Sequence, residues 1–429
     1  MAVLLVLALV LCLMPATAFA LDENETEIIS VPCVTKVTPT TISVKAMDNV
    51  QYRLGSTGTW TSEAVFSGLY PNTNYTVYYR YGTGDATSLG VTKTTAVTAP
   101  ASQQYIDSEA PYQLSMTGYL TTFDLQNDLS FFLYLSASKY SANYSDLRLY
   151  VMHKTYSGNS FSGWKTSIVT ASPNLVTYNN TSCYAFCLKG MAAAELMDDL
   201  CITLYAKETS TGHTFITPVY ATTMEASARN LLSKATSSSQ KTLIVDFLNY
   251  AAATQTYFSY NTNNLANSNI SSYSNLATQN NPTLVTTNAK VNTLPNATAS
   301  FSGTTFSLDS KIGLRMAVNI TETDTSNITL KISYTPAKTS LGTQNQTYAL
   351  KGNKTDGYYF LIDNIAAADF GSAFEMTVYK GTTPISDTRL YSVESRVKSM
   401  LEAGSTNQNY INLLWAMMKY SRSARAFFS

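Results

Sequence analysis

Hydrophobic and polar residues alternate with period two in short runs over residues 31–97: "TISVKA" (41–46), "VQYRL" (50–54), "YTVYYRY" (75–81) and "GVTKTT" (90–95). Gly, Asn and Asp separate the runs, which predicts short strands joined by turns. "TAVTAPASQQ" then breaks the pattern as a linker. A longer β region follows, with strands predicted in "LSFFLYL" (129–135), "DLRLYVMH" (146–153), "CYAFCL" (183–188) and "LCITLYAK" (200–207). The period then changes. In residues 243–258, Leu243, Phe247, Tyr250, Ala251, Thr254, Tyr257 and Phe258 fall at i, i+4, i+7 and i+8. That spacing predicts one apolar stripe on a helix.

The whole β-plus-helix pattern recurs. "KIGLRMAV" (311–318) matches "DLSFFLYL", and "ITLKISY" (328–334) matches "LRLYVMH". "YYFLIDNIAAADFGSAFEMTVYK" (358–380) follows "YAFCLKGMAAAELMDDLCITLYAK" (184–207) almost residue for residue. "VESRVKSML" (393–401) matches "MEASARNLL" (224–232), and Tyr250 and Phe258 fall on Tyr420 and Phe428 at one constant offset. Order, spacing and residue type agree across five segments, the signature of an internal duplication. Each helical stripe is expected to cover an open sheet face, and each buried aromatic to stabilise by roughly 1.5–3 kcal/mol. Residues 153–182 are expected to form an excursion present only in the first copy.

Composition narrows the function classes. Hydrophobic residues make up 45%, enough for buried cores, while charged residues make up 13% and sum to zero. A nucleic-acid binder needs a basic face to neutralise phosphates, so that class is excluded. Thirty tyrosines among abundant Thr, Ser and Asn fit half-buried β surfaces with hydroxyl-rich outer faces. The apolar run in "MAVLLVLALVLCLMPATAFA" ends in Ala18-Phe19-Ala20, which is expected to be a signal peptide cut after Ala20. No Lys or Arg precedes the run, a departure from the usual charged start. The mature chain is thus expected to be secreted, extracellular or cell-surface associated, with no membrane span after cleavage. Cys33, Cys183, Cys187 and Cys201 are too few for a disulfide scaffold. A Cys187–Cys201 bridge between neighbouring strands fits the spacing; buried free thiols are the other expectation.

Two stretches carry family resemblances. In "FSGLYPNTNYTVYYRYG", Leu69-x-Pro71-x-Thr73-x-Tyr75-x-Val77 resembles the fibronectin type III pattern. The resemblance covers residues 31–97 and implies a tyrosine corner, in which the Tyr75 hydroxyl bonds backbone a few residues upstream. "WAMMKYSRSARAFF" (415–428), and more loosely "VDFLNYAAATQTYF" (245–258), resembles the closing helix of tandem modules in large secreted surface proteins of clostridia-like anaerobes. That resemblance implies location and architecture only.

Chemistry is sparse. Metalloprotease, nucleophile-elbow and phosphate-loop signatures are absent from the sequence. The two histidines are His153, in a predicted strand and so a core or sheet-edge residue, and His213, beside a turn glycine and so solvated. Asp198 and Asp199 in "MDDL" face Ser372 and Ala373 in the second copy, which predicts a solvated turn rather than an acid/base pair. No catalytic residue, metal site or cofactor is implied. The candidate ligand site lies in the excursion, where "TYSGNSFSGWKT" (155–166) carries Tyr156, Phe161 and Trp164 among Gly, Ser and Asn. Aromatic faces on a polar surface loop match the apolar C–H faces of sugar rings, and Asn159 and Lys165 supply hydrogen bonds for hydroxyls. In the competing reading, Trp164 folds back onto the sandwich.

The sequence therefore predicts a mainly β chain. A signal peptide (1–20) precedes a fibronectin-III-like sandwich (31–97) and a linker (98–112). Two homologous β-sandwich units follow, each closed by a C-terminal helix (113–262 and 299–429), with a linker at 263–298. The expected function is non-catalytic binding or adhesion outside the cell, with a glycan or a cell-surface protein as partner. An accessory region of a polysaccharide-degrading enzyme and a structural spacer or surface-layer component are the alternatives.

Overall fold

A computed structural model describes residues 34–47, 50–71, 73–81, 92–98, 112–113, 119–124, 130–139, 144–212, 214–216, 220–308, 312–363 and 365–429. The expected signal segment, Cys33, nearly all of the 98–112 linker and His213 lie outside the described residues. The chain is mainly β and divides into two compact units. One holds Met1–Met116, Tyr144–Met152 and Cys201–Tyr220; the other holds Thr117–Asn143, His153–Leu200 and Ala221–Ser429.

The first six strands are β1 (Val34–Val37), β2 (Ile42–Val44), β3 (Val50–Leu54), β4 (Val65–Phe66), β5 (Asn74–Tyr81) and β6 (Thr92–Val97). They form two three-stranded sheets, β1-β2-β4 and β3-β5-β6. Alternation sends Ile42, Val44, Val50, Tyr52, Val77 and Tyr79 inward, where they join Leu69 and Ala96 in one core. The Tyr75 hydroxyl accepts a hydrogen bond from the Tyr70 amide at 2.8 Å, which makes the expected tyrosine corner. On the outer side the Arg53 and Arg80 guanidinium groups lie 4.5 and 4.6 Å from the Trp60 ring centroid.

The first repeat comprises β7 (Tyr112–Gln113), β8 (Tyr119–Asp124), β9 (Ser130–Ser136), β10 (Tyr144–Ser157), β11 (Ser160–Thr170), β12 (Val176–Tyr178), β13 (Thr181–Leu188), β14 (Leu200–Glu208), β15 (Thr214–Ile216) and β16 (Tyr220–Thr222). Helices α1 (Met224–Lys234) and α2 (Ser238–Phe258) close it. The second repeat comprises β17 (Asn288–Asn292), β18 (Ala299–Leu308), β19 (Ile312–Ile320), β20 (Ile328–Tyr334), β21 (Gln344–Ala349), β22 (Lys351–Asn353), β23 (Gly357–Ile362), β24 (Phe374–Lys380), β25 (Thr383–Pro384) and β26 (Thr388–Tyr391). Helices α3 (Val393–Glu402) and α4 (Gln408–Phe428) close that one. Sheet order repeats: β12-β13-β9-β8 corresponds to β22-β23-β19-β18, and β11-β10-β14 to β21-β20-β24.

Local devices repeat as well. Thr223 caps α1 by accepting from the Ala226 amide, and Ser392 caps α3 by accepting from Ser395. The Glu225 amide donates to the Leu196 carbonyl at 3.0 Å, and the Glu394 amide to the Phe370 carbonyl at 2.8 Å.

Two expectations are corrected. Residues 153–182 are not an excursion peculiar to the first copy. They complete β10 and form β11 and β12, and the second copy has β21 and β22 in the same places. The difference is length: β10 and β11 have 14 and 11 residues, against 7 and 6 in β20 and β21. The helical stripes, expected to cover a sheet face, pack on other partners. Helix α2 packs against α4, with Tyr250 stacked on Tyr420 at 5.7 Å and 12°. Tyr257 near the end of α2 meets Tyr410 near the start of α4, so the helices run antiparallel. Each helix also packs on the short 3-10 turn of its own repeat, Ala193–Glu195 for α2 and Ala367–Asp369 for α4.

Candidate functional site

The five residues singled out for ligand binding lie on the β10–β11 hairpin, which turns at Gly158 with φ of 60°. Two of them serve the fold. Asn159 Oδ1 accepts from the Thr262 amide at 2.6 Å and from its hydroxyl at 3.0 Å, while the Asn261 amide donates to the Gly158 carbonyl at 2.8 Å. Tyr156 sets its ring edge-on to Tyr260 at 6.0 Å, and its amide donates to the Tyr260 hydroxyl at 3.2 Å. These contacts fasten the hairpin tip to the loop after α2. Phe161 and Trp164 meet edge to face at 6.2 Å on β11, with Lys154 Nζ 5.8 Å from the Phe161 ring centroid. Trp164 is half-buried with its Nε1 shielded from solvent, and Lys165 is exposed.

Behind the hairpin lies a buried polar cluster. His153 Nε2 and Asp198 Oδ2 are 2.9 Å apart, and the Tyr260 hydroxyl donates to the same carboxylate oxygen at 2.5 Å. His153 is 2% exposed and Asp198 0%, so the histidine is a core residue as expected. The solvated turn predicted for Asp198 is corrected: the 3-10 turn ending at Glu195 carries it inward, where two side chains distant in sequence bond its Oδ2, while its buried Oδ1 and His153 Nδ1 have no hydrogen-bond partner among the described residues. Asp199 stays partly exposed, 3.6 Å from Lys154 Nζ. Burial pushes the Asp198 carboxyl above its ordinary range, against the opposing hydrogen bonds from His153 and Tyr260. Burial and the adjoining Asp198 likewise push the Tyr260 phenol up. Glu195 stands close enough that it, His153 and Asp198 offer ligand atoms within 4.8 Å of one another. Its Oε2 already accepts from the Ala192 amide at 2.8 Å. The cluster therefore works as a brace between β10, the 3-10 turn and the loop after α2.

A groove of about 660 Å³ crosses the outer face of the β12-β13-β9-β8 sheet. Alternation along β9 sends Phe131, Leu133 and Leu135 inward and leaves Phe132 and Tyr134 on the opposite face. Those two rings lie nearly parallel, 9° apart, and Tyr134 stacks on Tyr178 at 4.1 Å. The end of β11 walls the groove with Ile168 and Thr170, and Thr177 and Lys189 add polar groups. The signal for this platform was present in "SFFLYLS", where two aromatics occupy the phase of the strand that should be polar.

No family model and no curated protein matches the chain. Among solved structures, it is similar to the crystal structure of chicken CNTN1 FN1-FN3 domains, with 10% sequence identity and a TM-score of 0.17 over 84% of this chain and 97% of that one. At that score the likeness assigns no function, and the two-sheet architecture with its tyrosine corner rests on the chain's own coordinates. Among the described residues, no helix is long and apolar enough to cross a membrane, the 21-residue α2 and α4 included.

Proposed function

We propose that the chain is a secreted, non-catalytic binding protein that contacts carbohydrate outside the cell; its resemblance to surface-protein modules of clostridia-like anaerobes supports the location alone. The observation that supports this reading is the aromatic floor of the groove on the first repeat. Phe132, Tyr134 and Tyr178 form a row of nearly parallel rings, with one face of Tyr134 covered by Tyr178, along an open channel about 660 Å³ in volume that Phe132 and Tyr134 line. Sugar rings offer apolar C–H faces of matching size, and the Ser, Thr and Lys side chains of the rim offer partners for hydroxyls. Phe161, Trp164 and Lys165 lie on β11, the strand whose far end walls the groove. Four residues of strand, from Trp164 to Ile168, span about 13 Å, and the even spacing puts these two side chains on the same face of β11. The acidic residues Glu195 and Asp198 line neither this groove nor the cleft beside α4 and are engaged in the buried brace, which supports binding without catalysis.

The test is a glycan array probed with the mature protein, followed by affinity measurements on Tyr134→Ala and Trp164→Ala. Expected is binding to at least one glycan class, weakened about tenfold or more by Tyr134→Ala at unchanged melting temperature. An array with no signal ends the reading.

A further inference from the structure

A second face of the molecule has the composition of a sugar site and plays no part in the groove just described. Along α4, Gln408, Asn412, Trp415 and Lys419 recur at i, i+4, i+7 and i+11 and so share one side of the helix. That side differs from the packing stripe, whose Leu413, Met417, Tyr420 and Ala424 are all buried. The polar side borders a cleft of about 460 Å³, closed by α2 at Asn249 and by the segment around Gln279. A half-buried tryptophan thus stands among six amide or ammonium side chains: Asn249, Gln279, Asn281, Gln408, Asn412 and Lys419.

The duplication shows that packing alone does not call for this tryptophan. At the offset that superposes Tyr250 on Tyr420, Trp415 corresponds to Val245, which is 1% exposed in the core. Gln408 and Asn412 correspond to Ser238 and Thr242. The second copy therefore carries an aromatic and two amides where the first has an aliphatic and two hydroxyls. The cleft is also braced. Gln408 Nε2 donates to Asn412 Oδ1 at 2.9 Å, and Lys419 Nζ donates to the Gln279 carbonyl at 3.0 Å. Asn249 Oδ1 accepts from Asn267 Nδ2 at 3.0 Å, and Gln279 Nε2 donates to the Ser274 and Ala277 carbonyls at 3.1 and 2.9 Å. These bonds fix the side chains and leave each amide a further donor or acceptor position. Amides pair donor with acceptor, as vicinal hydroxyls do, and the indole face supplies an apolar surface. A fixed set of this kind suits a neutral ligand that is both hydroxylated and flat. The one acid in the wall, Asp246, is held by the Thr278 amide at 2.9 Å and the Thr278 hydroxyl at 2.6 Å.

We infer that the cleft between α2, the 274–281 segment and α4 is a second binding site, for a neutral sugar unit, with Trp415 as its stacking platform and Asn412 and Gln408 as its hydroxyl partners. This rests on the reading of the chain as a carbohydrate-binding protein, and it makes the protein bivalent toward a polysaccharide, with one site on the first repeat and one between the closing helices of the two repeats.

The experiment is calorimetric titration of the mature chain with four neutral probes: cellohexaose, xylohexaose, mannohexaose and chitohexaose. Expected is binding of at least one probe with a stoichiometry near two. Trp415→Ala should remove the Trp415 site, weakening it about thirtyfold or more, as loss of an aromatic anchor does. Trp415→Phe should retain most of the affinity. Asn412→Leu, at an exposed helix position that cannot disturb the core, should weaken the same site with the melting temperature unchanged. Binding that survives Trp415→Ala and Asn412→Leu but is lost in Tyr134→Ala overturns the second site and leaves the groove standing. Binding lost in the α4 variants and kept in Tyr134→Ala upholds the cleft and refutes the groove. No binding of any probe overturns the cleft, and the glycan array then decides separately for the groove.

Discussion

Tyr250 and Tyr420 are the same residue in two copies of one repeat, and they stack on each other, ring centroids 5.7 Å apart and planes 12° apart. A position that contacts its own counterpart is what an isologous, two-fold interface produces. Here both partners belong to one chain, so α2 and α4 pair as the helices of a homodimer would. Both rings are nearly buried, at 6% and 7% exposed, and Phe247 adds a third ring 5.4 Å from Tyr420.

This pairing predicts coupling. Tyr250→Leu and Tyr420→Leu should each destabilise by about 1–3 kcal/mol. The double variant should cost about 0.5–1.5 kcal/mol less than their sum, because the aromatic contact is lost only once. Urea unfolding of the four proteins measures the cycle. Strict additivity would show that the rings pack independently against their own repeats.

The tyrosine corner gives a smaller, local effect. Tyr75→Phe removes the hydroxyl that accepts from the Tyr70 amide at 2.8 Å and leaves the ring in place. The expected cost is about 1 kcal/mol, confined to the small sandwich. Faster amide exchange at Tyr70, with exchange in the α2–α4 pair unaltered, would report it.

How legible these features were depended on range in the sequence. The Tyr75 bond spans five residues, so a local pattern around Pro71 was enough to predict it. The stripes through Tyr250 and Tyr420 showed that a face is buried. A stripe carries no information about what covers it, and the mutual pairing came only with the fold. Strand β21 is polar with a fully alternating, half-exposed pattern, so "QNQTYA" gave no apolar signal to match against β11. The burial of Asp198 was not legible, because its partners His153 and Tyr260 lie 45 and 62 residues away, while its sequence neighbour Asp199 is partly exposed.

Asp198 should make stability depend on pH in an identifiable direction. Burial raises its folded-state pKa above the ordinary 3.8, so the folded chain holds this proton more tightly than the unfolded chain. The associated stability is fully present below the unfolded pKa and is lost as pH rises through the folded one. Asp198→Asn keeps the size and an acceptor oxygen but cannot ionise. Relative to this variant, wild type should lose stability as pH rises upward from about 3.8. Urea midpoints of both proteins at pH 3.5 to 7 check it; parallel curves would mean that Asp198 titrates alike in both states.

Comparison of the two copies yields a swap. Glu394 is 3% exposed and pairs with Arg422 at 2.6 Å. Gly371 lies against that pair: a Cβ there would stand 2.8 Å from Glu394 Oε2 and 3.4 Å from Arg422 Nη1. In the first copy the corresponding positions hold Met197 and Ala252, both buried, and Glu225 pairs instead with Arg229 on its own helix at 3.0 Å. A large residue beside a small one has thus been exchanged for a small one beside a large one, at the same place in the fold. Gly371→Met should force the Glu394–Arg422 pair apart and destabilise by about 1–3 kcal/mol, the usual cost of overpacking. Adding Arg422→Ala opens the space that Ala252 provides in the first copy. Lys398, four residues along α3 from Glu394 as Arg229 is from Glu225, is then in place to pair with the carboxylate. The double variant should accordingly be more stable than Gly371→Met alone, although Arg422→Ala by itself is destabilising. Thermal melts of the three variants decide it. A double variant that loses the sum of both single losses would show that the two positions do not share one volume.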